Sequence, residues 1–362
     1  MPLHTFQART LSDLDHALYL LNFDRIELGL SPSGDWSVYY RYPCRFLDRT
    51  SNPNNYLCTI HATDLQPGIC VHYNPYRCWY KKSLTSNVSE AFLRIDRRRM
   101  DAILQQVRFD DERNIVDVPD WPTMMTELAA LPLDPAFAAP VEADPVFEQW
   151  LRDSAAGPHV PAPLPRYRFG DFVDPCTGCS AACCTTLVFP YPRPQTRRNV
   201  DYLQFVLGFP GLEVGVSDGD WQIVVKTRCR HLTADSRCGI YGKPERPTLC
   251  KYFDAAGCSY VARFGLPRPK DFMRVRLEQF FWMVDSIAFD PDGVVVDMPQ
   301  VERMRLYIEH QWRATLASLD APPEAAAPAA AASAAASAPE AAQPAPAVPT
   351  PSAVPTPPTT EP

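Results

Sequence analysis

Phe109 to Pro119 reads FDDERNIVDVP, and Phe289 to Pro299 reads FDPDGVVVDMP. An acidic turn runs into a short β-branched stretch and a proline, and the same unit returns 180 residues later. Outward from either copy the register holds. Phe92-x-Arg94 answers Phe272-x-Arg274, and Pro67 precedes Cys70 by three residues as Pro247 precedes Cys250. Cys58, Cys70 and Cys78 recur as Cys238, Cys250 and Cys258 at one offset, and Cys44 recurs as Cys229 after a short indel. Cys44-Arg45-Phe46-Leu47 matches Cys229-Arg230-His231-Leu232, and Asp35-Trp36 and Asp220-Trp221 lie just upstream. Asp15 and Phe23 keep the same spacing as Asp201 and Phe209. Self-similarity at a fixed period is the mark of a duplicated structural unit. Eight thiols thus occupy four equivalent places twice, which predicts a function for each place.

The length of 362 residues fits about two domains. The first unit spans 12–131, a Pro/Ala-rich linker 132–166, and the second unit 167–319; the tail from 320 to 362 is predicted to be disordered. From Ala321 onward only Ala, Pro, Ser, Thr, Val, Gln and Glu occur, a composition with almost nothing to bury against its ordering entropy. The opening MPLHTFQARTLSDLDHALYLL lacks a basic start followed by a long apolar stretch, and no apolar run reaches membrane-spanning length. The expectation is a cytoplasmic protein without membrane contact. Net charge is −7, and Glu324, Glu340 and Glu361 of the tail supply three of those charges, so nothing points to nucleic acid. The basic run Arg97 to Arg99 is expected to be a solvated helix face.

Periodicity predicts a helix over Leu14 to Leu21 capped by Ser12 or Asp13, and a hairpin from Arg25 to Tyr42 turning at Pro32-Ser33-Gly34. A helix from about Ser89 to Val107, a strand at Ile115 to Val118 and a helix over Thr123 to Leu131 follow. One helical turn is expected near Phe147 to Leu151 in the linker. The second unit repeats the order: helix Val200 to Leu207, strands Leu212 to Val216 and Trp221 to Lys226, helix Asp271 to Ile287, strand Val294 to Val296 and helix Val301 to Leu319. The expected fold class is α+β. It comprises two homologous cysteine-rich units, each a small antiparallel sheet with flanking helices and loops stapled by metal.

The second unit adds Asp174-Pro175-Cys176-Thr177-Gly178-Cys179-Ser180-Ala181-Ala182-Cys183-Cys184, a C-x2-C-x3-C-C run that brings four thiols within nine residues. In a reducing compartment, clustered cysteines serve metals more often than disulfides. Thiolates select zinc or iron–sulfur clusters. The residues from Phe172 to Tyr260 resemble the zinc- or iron-chelating domain of the YkgJ-type cysteine-cluster proteins. The pattern C-x2-C-x3-C-C, C-x2-L, C-x-I-Y and R-P-x2-C is met by Cys176, Cys179, Cys183, Cys184, then Cys229 with Leu232, Cys238-Gly239-Ile240-Tyr241 and Arg246-Pro247-Thr248-Leu249-Cys250, with Phe253 following. The gap between Tyr241 and Arg246 is longer than that family's. The resemblance implies a metal-chelating cluster.

The candidate metal ligands are therefore Cys176, Cys179, Cys183, Cys184, Cys229, Cys238, Cys250 and Cys258, with Cys44, Cys58, Cys70 and Cys78 in the first unit. The first unit keeps Ile60 but has His61 for the tyrosine and Gln66 for the arginine, with no preceding C-x2-C-x3-C-C. Two arrangements fit: a four-thiol site in each unit with a second site on the extra run, or metal binding that needs ligands from both tetrads of the second unit, with the first unit a degenerate copy kept for packing. Cys183 and Cys184 would point opposite ways in an extended segment, which leaves open a mixed arrangement in which Cys176, Cys179 and one of the pair are joined by a distant cysteine.

His72 and His231 lie beside cysteines as candidate substitute ligands, though a polar surface role suits them better. Trp36 and Trp221 are expected in the core, and Asp15 and Asp201 in local capping or a helix-face salt bridge. Arg246 suits a loop-orienting contact. No phosphate loop, G-x-S-x-G or H-E-x-x-H occurs. Two functions compete: a zinc or iron protein serving structure, interaction with a protein partner or metal handling, and an iron–sulfur enzyme or redox protein with its cluster on C-x2-C-x3-C-C.

Overall fold

The computed structural model describes residues 1–48, 50–51, 57–72, 92–135, 142–156, 181–252 and 273–320. Cys78, Cys176, Cys179 and Cys258 lie outside the described residues, as do the tail from Ala321 and part of the linker.

Strand β1 (Pro2–Gln7) leads into helix α1 (Leu11–Leu20). The cap is Thr10, two residues before Ser12 and three before Asp13, the two expected caps, so the helix starts at Leu11. The Thr10 hydroxyl accepts from the Asp13 amide (3.2 Å), while the Asp13 carboxylate accepts from the Thr10 amide (2.9 Å). Asp13 is thus the reciprocal partner in a capping box. One face of α1 buries Leu14, Ala17 and Leu20. Strands β2 (Ile26–Leu30) and β3 (Asp35–Tyr40) form the expected hairpin. Every residue of β2 is buried, as expected of a strand with neighbours on both edges and packing on both faces.

The stretch Ser89 to Val107 is not one helix. Leu93–Ile95 forms a strand whose Leu93 and Ile95 alternate inward on β2, and Asp96 then caps helix α3 (Arg97–Gln106) by accepting from the Arg99 amide. Asp271 to Ile287 behaves likewise: Met273–Val275 is a strand and the helix begins at Leu277. With two-stranded pieces Leu47–Asp48 (β4) and Leu57–Cys58 (β5) between, Leu93–Ile95 is β6. The first sheet runs β1-β3-β2-β6, all antiparallel.

Arg108–Phe109 (β7) and Ile115–Asp117 (β8) pair as the short hairpin quoted at the outset, and helix α4 (Trp121–Ala130) follows from its cap Asp120. Arg99 departs from the solvated-face expectation: it is buried, and its guanidinium donates to the carbonyls of Leu131 and Arg94. Within the linker, α5 (Pro145–Ala156) is a full helix rather than a turn, and Phe147 is buried between Tyr42, Trp150 and the guanidinium of Arg25.

The later residues follow the same order. After α6 (Ala182–Thr185) come β9 (Thr186–Tyr191), α7 (Arg197–Leu207), β10 (Leu212–Val216), β11 (Trp221–Lys226), α8 (Thr248–Lys251), β12 (Met273–Val275), α9 (Leu277–Asp285), the hairpin β13 (Ala288–Phe289) and β14 (Val295–Asp297), and α10 (Val301–Asp320). The second sheet runs β9-β11-β10-β12, again antiparallel throughout. Thr196 and Asn199 make the capping box of α7.

The fold is therefore α+β with small antiparallel sheets. One continuous core joins them, including Leu20, Phe23, Trp36, Tyr40, Leu203, Leu207, Trp221 and Phe280, and Met1–Gln311 folds as one compact unit. Among the described residues no helix is long and apolar enough to cross a membrane.

Candidate metal centre

The cysteines sit in a chain of tight turns that the two halves draw alike. The Leu47 amide donates to the Cys44 carbonyl (3.0 Å), as Leu232 donates to Cys229 (3.0 Å). Thr59 donates to Phe46, as Gly239 donates to His231. His61 then closes on Cys58 and Tyr241 on Cys238, each at 3.1 Å, before turns at Ile60 to Thr63 and Ile240 to Lys243. Finally Pro67 begins α2 (Gly68–Val71), with the Cys70 amide donating to its carbonyl, and Pro247 begins α8 with Cys250. Proline suits that place because its fixed φ fits a helix entry. The bonds from Leu47, His61, Leu232 and Tyr241 are i to i+3 turn closures.

In the later half, α6 adds two more thiols. Ala181 enters it in the left-handed region, at φ 55° and ψ 41°. Cys183 and Cys184 are consequently helical rather than extended, and their sulfurs lie 3.9 Å apart. The extended conformation expected of this pair is not the one found, and neighbours on a helical turn do not point to opposite faces. The Cys229 amide donates to the Cys184 carbonyl (2.8 Å), and the Tyr19 hydroxyl of α1 donates to the Cys183 carbonyl (3.0 Å).

These sulfurs feel one another. The contact between the two thiols holds Cys183 down to about 7 with help from the Arg246 cation, while Cys184 is pushed upward by that contact, by burial and by Cys183, Cys229 and Cys250. Burial pushes Cys250 up to about 12, against Arg246 and with Cys183, Cys229 and Cys238 adding to it. Burial raises Cys229, with Cys238 and Asp24 adding to it and the His231 amide and Arg230 opposing. A group of thiols that disfavour each other's ionisation is one that a cation would relieve.

In the earlier half, Cys44, Cys58 and Cys70 line one small apolar cavity with Ile60, Phe205 and Leu277. Burial and the charges of Cys44, Cys58 and Asp201 push Cys70 up to about 11, and burial raises Cys44. All eight described cysteines are free thiols.

The donor set suits a thiophilic zinc or iron ion. A second observation agrees: among the described residues the buried Arg246 Nε has no hydrogen-bond partner, and its cation acts on Cys183 and Cys250, where an anionic thiolate centre would accept from it. Its guanidinium also stacks over Tyr241 at 4.5 Å. The described thiols alone do not close a site. Among the described residues no three His, Cys, Asp or Glu side chains converge tightly enough to share one ion. Cys176, Cys179, Cys258 and Cys78, which would complete the sets, lie outside the described residues. His72 is exposed at the end of α2, and the charged neighbours of His231 are Arg230, Arg97, Glu245 and Lys243, none of them a thiol.

Trp36 and Trp221 are core residues as expected. Asp15 and Asp201 do cap, but not locally. Asp15 accepts from the Thr248 and Leu249 amides at the start of α8, and Asp201 from the Gly68 and Ile69 amides at the start of α2. Tyr19 carried no sequence signal as a contact of the thiol cluster; burial and the surrounding thiols raise its hydroxyl well above the usual range.

No curated protein and no solved structure matches the chain. Residues 175–279, the stretch that holds α6, the cysteine turns, α8 and the start of α9, match the family model described as "CxxCxxCC: Putative zinc- or iron-chelating domain".

Proposed function

We propose that this protein chelates zinc or iron through cysteine thiolates. One centre is built on Cys183, Cys184, Cys229, Cys238 and Cys250, together with Cys176, Cys179 and Cys258. A second is built on Cys44, Cys58, Cys70 and Cys78, and the two halves, 12–131 and 167–319, are copies of one unit. The observation that carries the reading is the adjacent pair of free thiols Cys183 and Cys184, 3.9 Å apart and bonded through the Cys184 carbonyl to the amide of Cys229, inside the stretch that matches a chelating-domain model. The matching turn bonds around Cys44, Cys58 and Cys70 support the second centre and the duplication. A bound ion cross-links loops that share little other packing, and its binding free energy becomes folding free energy. The role is structural, interaction or metal handling.

Metal content after anaerobic purification, read beside the visible spectrum, is the deciding test. About one zinc per four thiols with no colour supports the structural reading. Brown protein with iron and sulfide assigns an iron–sulfur cluster to the C-x2-C-x3-C-C run instead. Metal-free protein with unchanged thermal stability after chelation under reducing conditions overturns both.

A further inference from the structure

We propose that Asp15 and Asp201 are positioning residues for the thiol centres, each acting on the centre of the opposite half. The inference rests on the metal-chelating reading above.

Asp201 lies on α7 of the later half, and its two carboxylate oxygens accept from Gly68 (2.5 Å) and Ile69 (2.9 Å) of α2, which carries Cys70. Asp15 lies on α1 of the earlier half, and its oxygens accept from Thr248 (2.9 Å) and Leu249 (2.8 Å) of α8, which carries Cys250. Four residues of helix cannot hold their own orientation, because such a piece is shorter than its nucleation cost allows. A carboxylate taking two amides at the helix start therefore sets the direction in which the following thiol points.

The surrounding bonds cross in the same sense. Tyr19 holds the Cys183 carbonyl, Arg230 donates to Asn22, and Phe23 bridges Cys229, so the later centre is seated against α1 and its C-terminal turn. Gln204 donates to Leu65 and Arg45 to Gly208, while Phe205 walls the thiol cavity, so the earlier centre is seated against α7. Neither carboxylate contacts a cysteine turn of its own half in these bonds. A change in one half should then empty the centre of the other.

The test uses the full chain and cobalt(II), whose thiolate charge-transfer bands report loading. Two backgrounds separate the centres: Cys58→Ser/Cys70→Ser leaves only the later one, and Cys238→Ser/Cys250→Ser only the earlier one. Losing two charge-assisted bonds at a partly exposed place predicts roughly tenfold weaker cobalt binding, or more. Asp15→Ala should weaken the later centre by that factor and spare the earlier; Asp201→Ala should do the reverse. Asn keeps one acceptor oxygen, so Asp15→Asn and Asp201→Asn should fall between wild type and Ala.

Unchanged affinity in the opposite centre overturns the proposal, and so does an equal loss in both centres that follows the melting temperature. If the wild-type chain takes up no cobalt, the metal-chelating reading fails on its own. The positioning role is then read by amide exchange. Asp15→Ala should speed exchange at Thr248 and Leu249 but not at Gly68 and Ile69, with the mirror result for Asp201→Ala. Unaltered exchange overturns it.

Discussion

Glu27 and Glu213 are the most costly side chains to place, because each carboxylate is buried in the middle of a sheet. Glu27 is 1% exposed, and it accepts from Arg94 Nε at 2.6 Å and Arg94 Nη2 at 3.0 Å and pairs with Arg41 Nε at 3.0 Å. Glu213 stands at the corresponding place on β10, paired with Arg274 and, at 3.4 Å, with Arg276. Phe92-x-Arg94 and Phe272-x-Arg274 thus match because the arginine serves a buried acid. Breaking such a group leaves cations in apolar surroundings, so Glu27→Leu should cost about 3 kcal/mol in denaturant unfolding. Glu27→Leu combined with Arg41→Met and Arg94→Met should recover most of that loss, since neither guanidinium is then left facing an apolar side chain.

Lys226, near Glu213, supplies a pH test. Burial, with Arg274 adding to it, lowers its ammonium from 10.5 to about 8. The folded state therefore disfavours the charged form. The penalty is full below pH 8 and fades as pH climbs to the unfolded value of 10.5. Lys226→Met should be the more stable protein at pH 7, by on the order of 1–2 kcal/mol, with the difference from wild type shrinking toward pH 10. A pH-independent difference between the two unfolding curves would contradict this account.

Among the secondary-structure elements, β6 and β12 were the ones periodicity hid. Each is three residues long and runs directly into a capped helix, so its alternation blends into the helical pattern that follows. The partner strand reveals what the third dimension requires. At Gly29 on β2 a β-carbon would stand 1.3 Å from the Phe92 ring, so the glycine makes room for an aromatic laid across the sheet. Gly29→Ala should displace that ring and cost about 1–3 kcal/mol. In Phe92→Ala the same glycine change should cost much less, and a double-mutant cycle in thermal unfolding measures the difference. Additive effects would show that the ring is not the obstacle.

For the molecule as a whole, the two sheets do not bury separate cores. Tyr40 donates its hydroxyl to Pro210, Asp24 donates its amide to Arg228, and Phe147 of the intervening stretch is buried in the same core. Residues 167–319 expressed alone should therefore lose α1, Tyr19 and Asp15 together. The expected result is a fragment without a cooperative melt by circular dichroism, and without tight metal uptake. Cooperative unfolding of that fragment near the full-length midpoint would show the halves to be independent.

The cysteine spacing, the prolines before Cys70 and Cys250 and the helix-sheet order are local properties. Turns closed by i to i+3 bonds and helices closed by their own caps involve residues a few places apart, so the amino-acid order by itself determined them. The pairing of Cys183 with Cys184 needed the backbone, which enters the segment at the left-handed Ala181 and turns there into helix α6. The partners of Asp15, Asp201 and Tyr19 lie 233, 133 and 164 residues away. No periodicity or propensity carries information over such separations. Only the burial of both halves in one core brings each carboxylate to the cysteine helix of the other half.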